Sequence, residues 1–208
     1  IGIVDDLTWE DFSKVNVNIH KLEGIYPQIG FKRYYTQGES HSHVIGYVSP
    51  ISKSEEESNP LSKLSTAKAG KIGVEKAKDT ILRGKLGNKN IEVNASGREI
   101  RELDRVNSVQ GSYIQLTIDS ELQKFCFERL KGLSGSVSVI NVQNGEFYAL
   151  ASSPSYDPNI FSKSISNETW ENLLSDKYKP LINKSISNQY PPGSTIKPFV
   201  ALAALESG

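Results

Sequence analysis

Ser194 and Lys197 stand three residues apart in "YPPGSTIKPFVALAALESG", the stretch from Tyr190 to Gly208. On a helix that spacing puts both side chains on one face and brings the lysine amine within reach of the serine hydroxyl. A serine hydroxyl is a poor nucleophile at neutral pH and needs a neighbouring base. Lysine serves when burial or adjacent positive charge leaves it neutral part of the time. A helix N-terminus adds partial positive charge and free amides near the attacking oxygen, which favours an oxyanion. The chemistry these residue types suit is acyl transfer.

The tetrapeptide alone is weak evidence, because a chain of this composition contains about one Ser-x-x-Lys by chance. "STAK", Ser65 to Lys68, matches the pattern as well, but lies in a polar Ser/Lys-rich stretch with no apolar helix behind it. From the residues alone, Ser194 and Lys197 read either as a catalytic pair or as a helix cap followed by a solvated lysine. All three histidines, His20, His41 and His43, lie in the first fifth of the chain, so a Ser-His-Asp triad would need a partner from a distant region. "HSH" at 41 to 43 has no nearby cysteine or third histidine to complete a metal site, and no metal or cofactor is expected.

The elements around the pair follow from local signals. Pro191 and Pro192 stiffen the approach, Gly193 permits an unusual dihedral, and Ser194 falls where a helix begins. Pro198 suits a first helical turn. "FVALAALE" is apolar nearly all round, which predicts a helix buried in a core. Upstream, Ile114, Leu116 and Ile118 alternate with polar neighbours as in a half-buried strand. Ser120 and Gln123 have capping-box spacing before an apolar face of Leu122, Phe125, Cys126 and Leu130 that ends at Gly132. "SGSVSVINVQNGEFYALASSP" predicts a hairpin around Asn144-Gly145, and "SNETWENLLSD" a helix from Asn167 burying Trp170, Leu173 and Leu174. This order of strand, helix and hairpin is an α+β pattern.

The first half is less regular. Thr8 is a plausible N-cap for a helix with Trp9, Phe12 and Val15 along one face. Residues 49–71 are rich in Ser, Pro, Lys and Glu and read as a mobile loop. Val74, Ala77, Ile81 and Leu82 form a helical stripe that Gly84 can end in a left-handed conformation, and a hairpin is expected around Ala95-Ser96-Gly97.

Composition narrows the function classes. Twenty-four basic residues balance 24 acidic ones, and no basic tract offers a surface for nucleic acid. The single Cys126 excludes an internal disulfide framework. No apolar run reaches the length of a membrane span, and no signal peptide opens the chain. The chain starts at Ile1 and has no methionine, so it is expected to be a piece of a longer protein with any targeting segment upstream.

"YPPGSTIKP" resembles the active-site segment of class B penicillin-binding proteins, and the chain is similar to their elongation-type group, penicillin-binding protein 2. "DDLTWEDFSKVNVN", "RYYTQGESHSHVIGYVS", "GVEKAKDTILRGKLG", "EVNASGREIREL", "LTIDSELQ", "ASSPSYDPNIFS" and "PLINKSISNQYPPGSTIKP" fall in the order of that group. Lys184, Asn188 and Ile196 stand where arginine, glycine and phenylalanine are common. The resemblance implies a peptidoglycan D,D-transpeptidase of cell-wall elongation in which Ser194 is the nucleophile and Lys197 the general base. It also implies that the Ser194 backbone amide is half of the oxyanion hole.

The same resemblance implies a non-catalytic pedestal and head over 1–110, of dimerisation type, and the beginning of a penicillin-binding transpeptidase domain over 111–208. The implied partners are peptidoglycan stem peptides, β-lactams, a RodA-like glycosyltransferase and an MreC-like scaffold protein. The parent is expected in the bacterial inner membrane through an N-terminal anchor, with its catalytic part in the periplasm. The family's Ser-x-Asn and Lys-Ser/Thr-Gly motifs are absent from all 208 residues, so this stretch alone is expected to have little activity. A serine β-lactamase or β-lactam sensor shares Ser-x-x-Lys but not the pedestal-like segments, and a non-enzymatic docking module is the third reading.

Overall fold

The computed structural model describes residues 3–4, 7–22, 24, 25, 27, 32–52, 67–95, 99–162 and 165–208. Helix α1 (Trp9–Val17) starts where Thr8 accepts the Asp11 amide, and the rings of Trp9 and Phe12 stack 5.5 Å apart. From Tyr35 the chain runs through a 3-10 turn, Gly38–His41, into the short helix α2 (Ser42–Ile45) and strand β1 (Val48–Pro50). β1 pairs antiparallel with β2 (Lys68–Gly70). The expected mobile loop lies outside the described residues from 53 to 66, with Ser65 of the second Ser-x-x-Lys inside that gap. Its two ends, however, are held together as paired strands.

The single helical stripe from Val74 to Leu82 is instead two helices, α3 (Gly73–Ala77) and α4 (Asp79–Arg83), which part at Lys78 (φ −122°, ψ 21°). The break turns Asp79 so that its Oδ1 accepts the Gly70 amide at 3.0 Å, tying the helix pair to β2. Gly84 has φ 76° but ψ −156°, which is not the left-handed helical cap. What requires glycine there is a close approach: a Cβ would meet Val109 O at 2.2 Å. The next strands, β3 (Asn88–Val93) and β4 (Glu99–Val106), form the expected antiparallel hairpin, whose turn residues Ser96 and Gly97 lie outside the described set.

Residues 111–118 do not form a strand. Alternation suits a half-buried strand, but a ladder also needs an edge to pair with. This run meets the later hairpin at its end, through Thr117 Oγ1 to Phe147 O (2.7 Å) and Asp119 N–H to Tyr148 O (2.9 Å). Helix α5 (Ser120–Arg129) follows, capped by Asp119 rather than Ser120, because the Asp119 carboxylate accepts the Glu121 and Leu122 amides. Its apolar side packs on strands β5 (Gly135–Ile140) and β6 (Phe147–Ser153), which turn through Asn144 and Gly145 (φ 77°) as expected. Cys126, Ala149 and Ala151 form the centre of that core, with Leu122, Phe127, Leu130, Val137 and Val139 around it. Phe127 takes the inward place expected of Phe125, which is exposed.

Helix α6 (Asn167–Ser175) is capped by Ser166 but is not buried: Leu173 is half-covered, and Trp170 and Leu174 are exposed. Trp170 meets Phe161 edge-on at 6.2 Å, at the margin of an aromatic cluster with Tyr47 and Tyr156. Helix α7 (Lys197–Ser207), predicted to be buried, is exposed along its whole length, including Phe199, Val200, Leu202 and Leu205. Its composition fits a core, but among the described residues no element lies over it. The resulting architecture is α+β, with three separate two-stranded antiparallel sheets among the described residues.

The early and late halves are sewn together by buried polar contacts. Tyr35 N–H donates to Asn159 Oδ1 (2.9 Å), and Asn159 Nδ2 donates back to Tyr35 O (3.0 Å). Gln123, 1% exposed, donates to Ser40 O (2.7 Å) and Leu150 O (3.1 Å), while its Oε1 accepts the Leu150 amide (2.7 Å). The hydroxyls of Ser42 and Ser155 also meet across this joint.

Candidate active site

The approach to Ser194 folds as its proline and glycine residues dictate. Pro192 is helical (φ −67°, ψ −21°), Gly193 takes φ 53°, and Gly193–Ile196 form a 3-10 turn that runs into α7. In 3-10 geometry residues three apart eclipse one another, so Ser194 and Lys197 project from the same side. The Lys197 amide donates to Ser194 O, which locks their relation through the backbone. Thr195 points the other way and donates its hydroxyl to Pro192 O. Pro198, in the first turn of α7, removes an amide that would have no partner there. Ser194 and Lys197 are both exposed to solvent.

Sequence reasoning missed what holds the lead-in. Lys184 N–H donates to Ser152 Oγ (3.0 Å), Ser185 Oγ donates to Ala151 O (3.2 Å), and Asn183 Nδ2 donates to His43 O (3.4 Å). Lys184 is 3% exposed, and its ammonium donates to Lys179 O (3.1 Å). Burial pulls its pKa down, against a smaller opposing pull from Asp176. His43 lies beneath this clamp, and its pKa is pushed down to about 4, first by burial and then by the Lys184 charge. His41, also buried, meets Ser40 Oγ through Nδ1 (2.9 Å) and Ser120 Oγ through Nε2 (3.3 Å), and burial lowers its pKa. The "HSH" triplet therefore packs at the joint between the halves. Its faint signal was a pair of histidines, His41 and His43, leading into the apolar run "VIGYV".

Among the described residues no cluster of three or more His, Cys, Asp or Glu is arranged to hold a metal ion, and no helix is long and apolar enough to cross a membrane.

Residues 1–116 match the penicillin-binding protein dimerisation domain, and residues 135–208 match the penicillin binding protein transpeptidase domain. The chain therefore belongs to the penicillin-binding proteins that carry this dimerisation domain. It is 38% identical over 213 residues to the peptidoglycan D,D-transpeptidase MrdA of Escherichia coli K12, an alignment covering 100% of this chain and 34% of that protein. Penicillin-binding protein 2 of Helicobacter pylori, solved in complex with MreC, superposes with a TM-score of 0.85 at 32% identity, covering 99% of this chain and 38% of that one. The Pseudomonas aeruginosa protein solved with WCK 5153 gives 0.72 at 34% identity, covering 88% and 37%. The chain thus spans about a third of the length of the curated relatives it matches.

Proposed function

We propose that this chain is the non-catalytic head, up to about Gln110, and the nucleophile-bearing opening, from Gly111, of a peptidoglycan D,D-transpeptidase of cell-wall elongation. The observation that carries the reading is the Ser194–Lys197 turn at the start of an apolar helix, inside the stretch matched by the transpeptidase domain. Ser194 Oγ attacks the carbonyl carbon of the penultimate D-alanine of a stem peptide while Lys197 takes its proton. The Ser194 amide holds the oxyanion. The C–N bond to the terminal D-alanine breaks, the leaving amine takes a proton, and the ester on Ser194 persists until the amine of a second peptide displaces it. β-Lactams, whose strained amide meets the same hydroxyl, acylate Ser194.

An MreC-like scaffold is the proposed partner of the head, supported by the complex solved for the Helicobacter pylori relative. A RodA-like glycosyltransferase and an N-terminal anchor in the inner membrane, with the catalytic part in the periplasm, complete the proposal.

Fluorescent penicillin tests it on the full-length protein. Ser194→Ala abolishes labelling, and Lys197→Ala slows it by about 100-fold or more, the scale of a lost general base. Undiminished labelling of Ser194→Ala overturns the assignment. The 208 residues alone, with an exposed pair and neither companion motif, label far more slowly than the full-length protein.

A further inference from the structure

The segment that carries Ser194 is held to the rest of the described residues through the loop just before it. From Ile186 to Gly208 every residue is exposed, and among the described residues their hydrogen bonds reach no further back than Asn183. Pro180 to Ser185, in contrast, are buried or half-buried. Lys184 N–H donates to Ser152 Oγ (3.0 Å), Ser152 Oγ donates to Ile182 O (3.4 Å), and Ser185 Oγ donates to Ala151 O (3.2 Å), so this loop is seated on the end of β6. Ala151 is fully buried in the core beneath α5, and close packing makes that seat rigid. The direction in which the 3-10 turn and α7 leave the body is therefore set between Pro180 and Ser185.

Lys184 is the unusual member of this loop. Lysine is seldom buried, yet Lys184 is 3% exposed and turns its ammonium back into its own loop, where it donates to Lys179 O at 3.1 Å. That carbonyl already accepts the Ile182 amide at 3.1 Å. Lys179 has φ 49°, a backbone conformation that a residue with a Cβ keeps only when its surroundings impose it. Two donors converging on one carbonyl supply that constraint, one from the backbone of the loop and one from the end of a side chain. Burying a cation costs desolvation, and an apolar side chain of similar length would fill the space without it. What the ammonium adds is direction, because a charge-assisted hydrogen bond fixes the loop from Lys179 to Lys184 where packing alone would let it slide.

We propose that Lys184 is a positioning residue for the Ser194 nucleophile: its ammonium, closed onto the carbonyl of Lys179, holds the loop in one shape on β6 and so fixes where the Ser194–Lys197 turn stands. Lys184 touches no reacting atom and acts only through the chain that follows it. The effect on catalysis rests on the reading of Ser194 as the nucleophile, whereas the hold on the segment does not. A nucleophile displaced by about 1 Å can lose roughly 100-fold in rate, so a loop that loosens by a fraction of that costs about tenfold.

The full-length protein tests this with Lys184→Met, which keeps the stem and removes the donor, and with Lys184→Arg, which keeps a donor and a charge. Stopped-flow acylation by a fluorescent penicillin separates the maximum acylation rate constant from the dissociation constant of the complex that precedes it. The expected result for Lys184→Met is a rate constant about tenfold lower with a dissociation constant within about twofold of the parent's, and for Lys184→Arg a rate constant within about threefold of the parent's. A merely structural role lowers Tm and the fraction labelled but leaves the rate constant of the folded protein unchanged. Hydrogen exchange reads the hold directly: the Ile186 and Ser187 amides, which donate to Asn183 O, exchange about tenfold faster in Lys184→Met and at the parent's rate in Lys184→Arg, with β5–β6 ladder amides unchanged. Should Lys184→Met not fold, Ser152→Ala, which releases the same loop from β6, is read for the same two losses. An unchanged rate constant, unchanged exchange at Ile186 and Ser187, or failure of Lys184→Arg to restore either one overturns the proposal. If Ser194→Ala still labels, the nucleophile lies elsewhere, and the exchange measurement decides the hold on the segment by itself.

Discussion

Gln123→Met removes a side chain's whole hydrogen-bonding capacity while nearly keeping its volume, at a position 1% exposed. The wild-type amide satisfies Ser40 O at 2.7 Å, Leu150 O at 3.1 Å and Leu150 N–H at 2.7 Å, linking the Gly38–His41 turn, α5 and the outer edge of β6. Each such bond contributes about 1 kcal/mol net, and stranding buried backbone groups moves the cost toward the upper end, so the variant should lose about 3 kcal/mol. For a chain of this size that is a fall in Tm of roughly 6–12 °C. Urea unfolding followed by far-UV circular dichroism measures it, with exposed Lys124→Ala, on the same helix, as a control expected to stay within about 0.5 kcal/mol. A loss below about 1 kcal/mol for Gln123→Met would show that water or backbone rearrangement replaces all three bonds, and the account of the joint would be wrong.

Other consequences are as direct. Asp119→Ala, which strips the cap from α5, should cost about 1 kcal/mol in the same assay, whereas Ser120→Ala, at the position the capping-box spacing favoured, should cost less. Gly84→Ala puts a Cβ 2.2 Å from Val109 O at a positive φ, so the chain should express poorly or melt well below the parent, while alanine at Gly132, where nothing lies within 4 Å, carries the strain of its positive φ alone. The pKa of His43 is lower when folded, at about 4 against 6.5 unfolded, so its contribution is complete above pH 6.5 and is lost as pH falls toward 4. The size of that loss is about 3 kcal/mol. Melting curves of the parent and His43→Gln at pH 7 and pH 4 should differ by that pH-dependent part, and parallel curves would refute the sign.

Local chemistry was legible wherever a residue's nearest neighbours decide its conformation. Thr8 caps a helix, another helix starts at Asn167, Asn144-Gly145 turns a hairpin, and Pro191-Pro192-Gly193 delivers Ser194 and Lys197 to one side of a helix start, all from interactions within a few residues. The motif order along the chain likewise carried the family, because similarity of this kind is written residue by residue. What the tertiary structure decided was which apolar faces find a partner. The alternation of Ile114, Leu116 and Ile118 meets no strand edge, the stripe from Val74 to Leu82 breaks so that Asp79 can reach Gly70, and the all-apolar α7 lies open. Gln123, Asn183, Lys184 and His43 carry no periodic signal at all, since the hydrogen bonds that tie them across the joint span 27 to 140 residues. A hydrogen bond across that distance depends on where the whole chain has put its backbone, and nothing in the identity of the neighbouring residues states it.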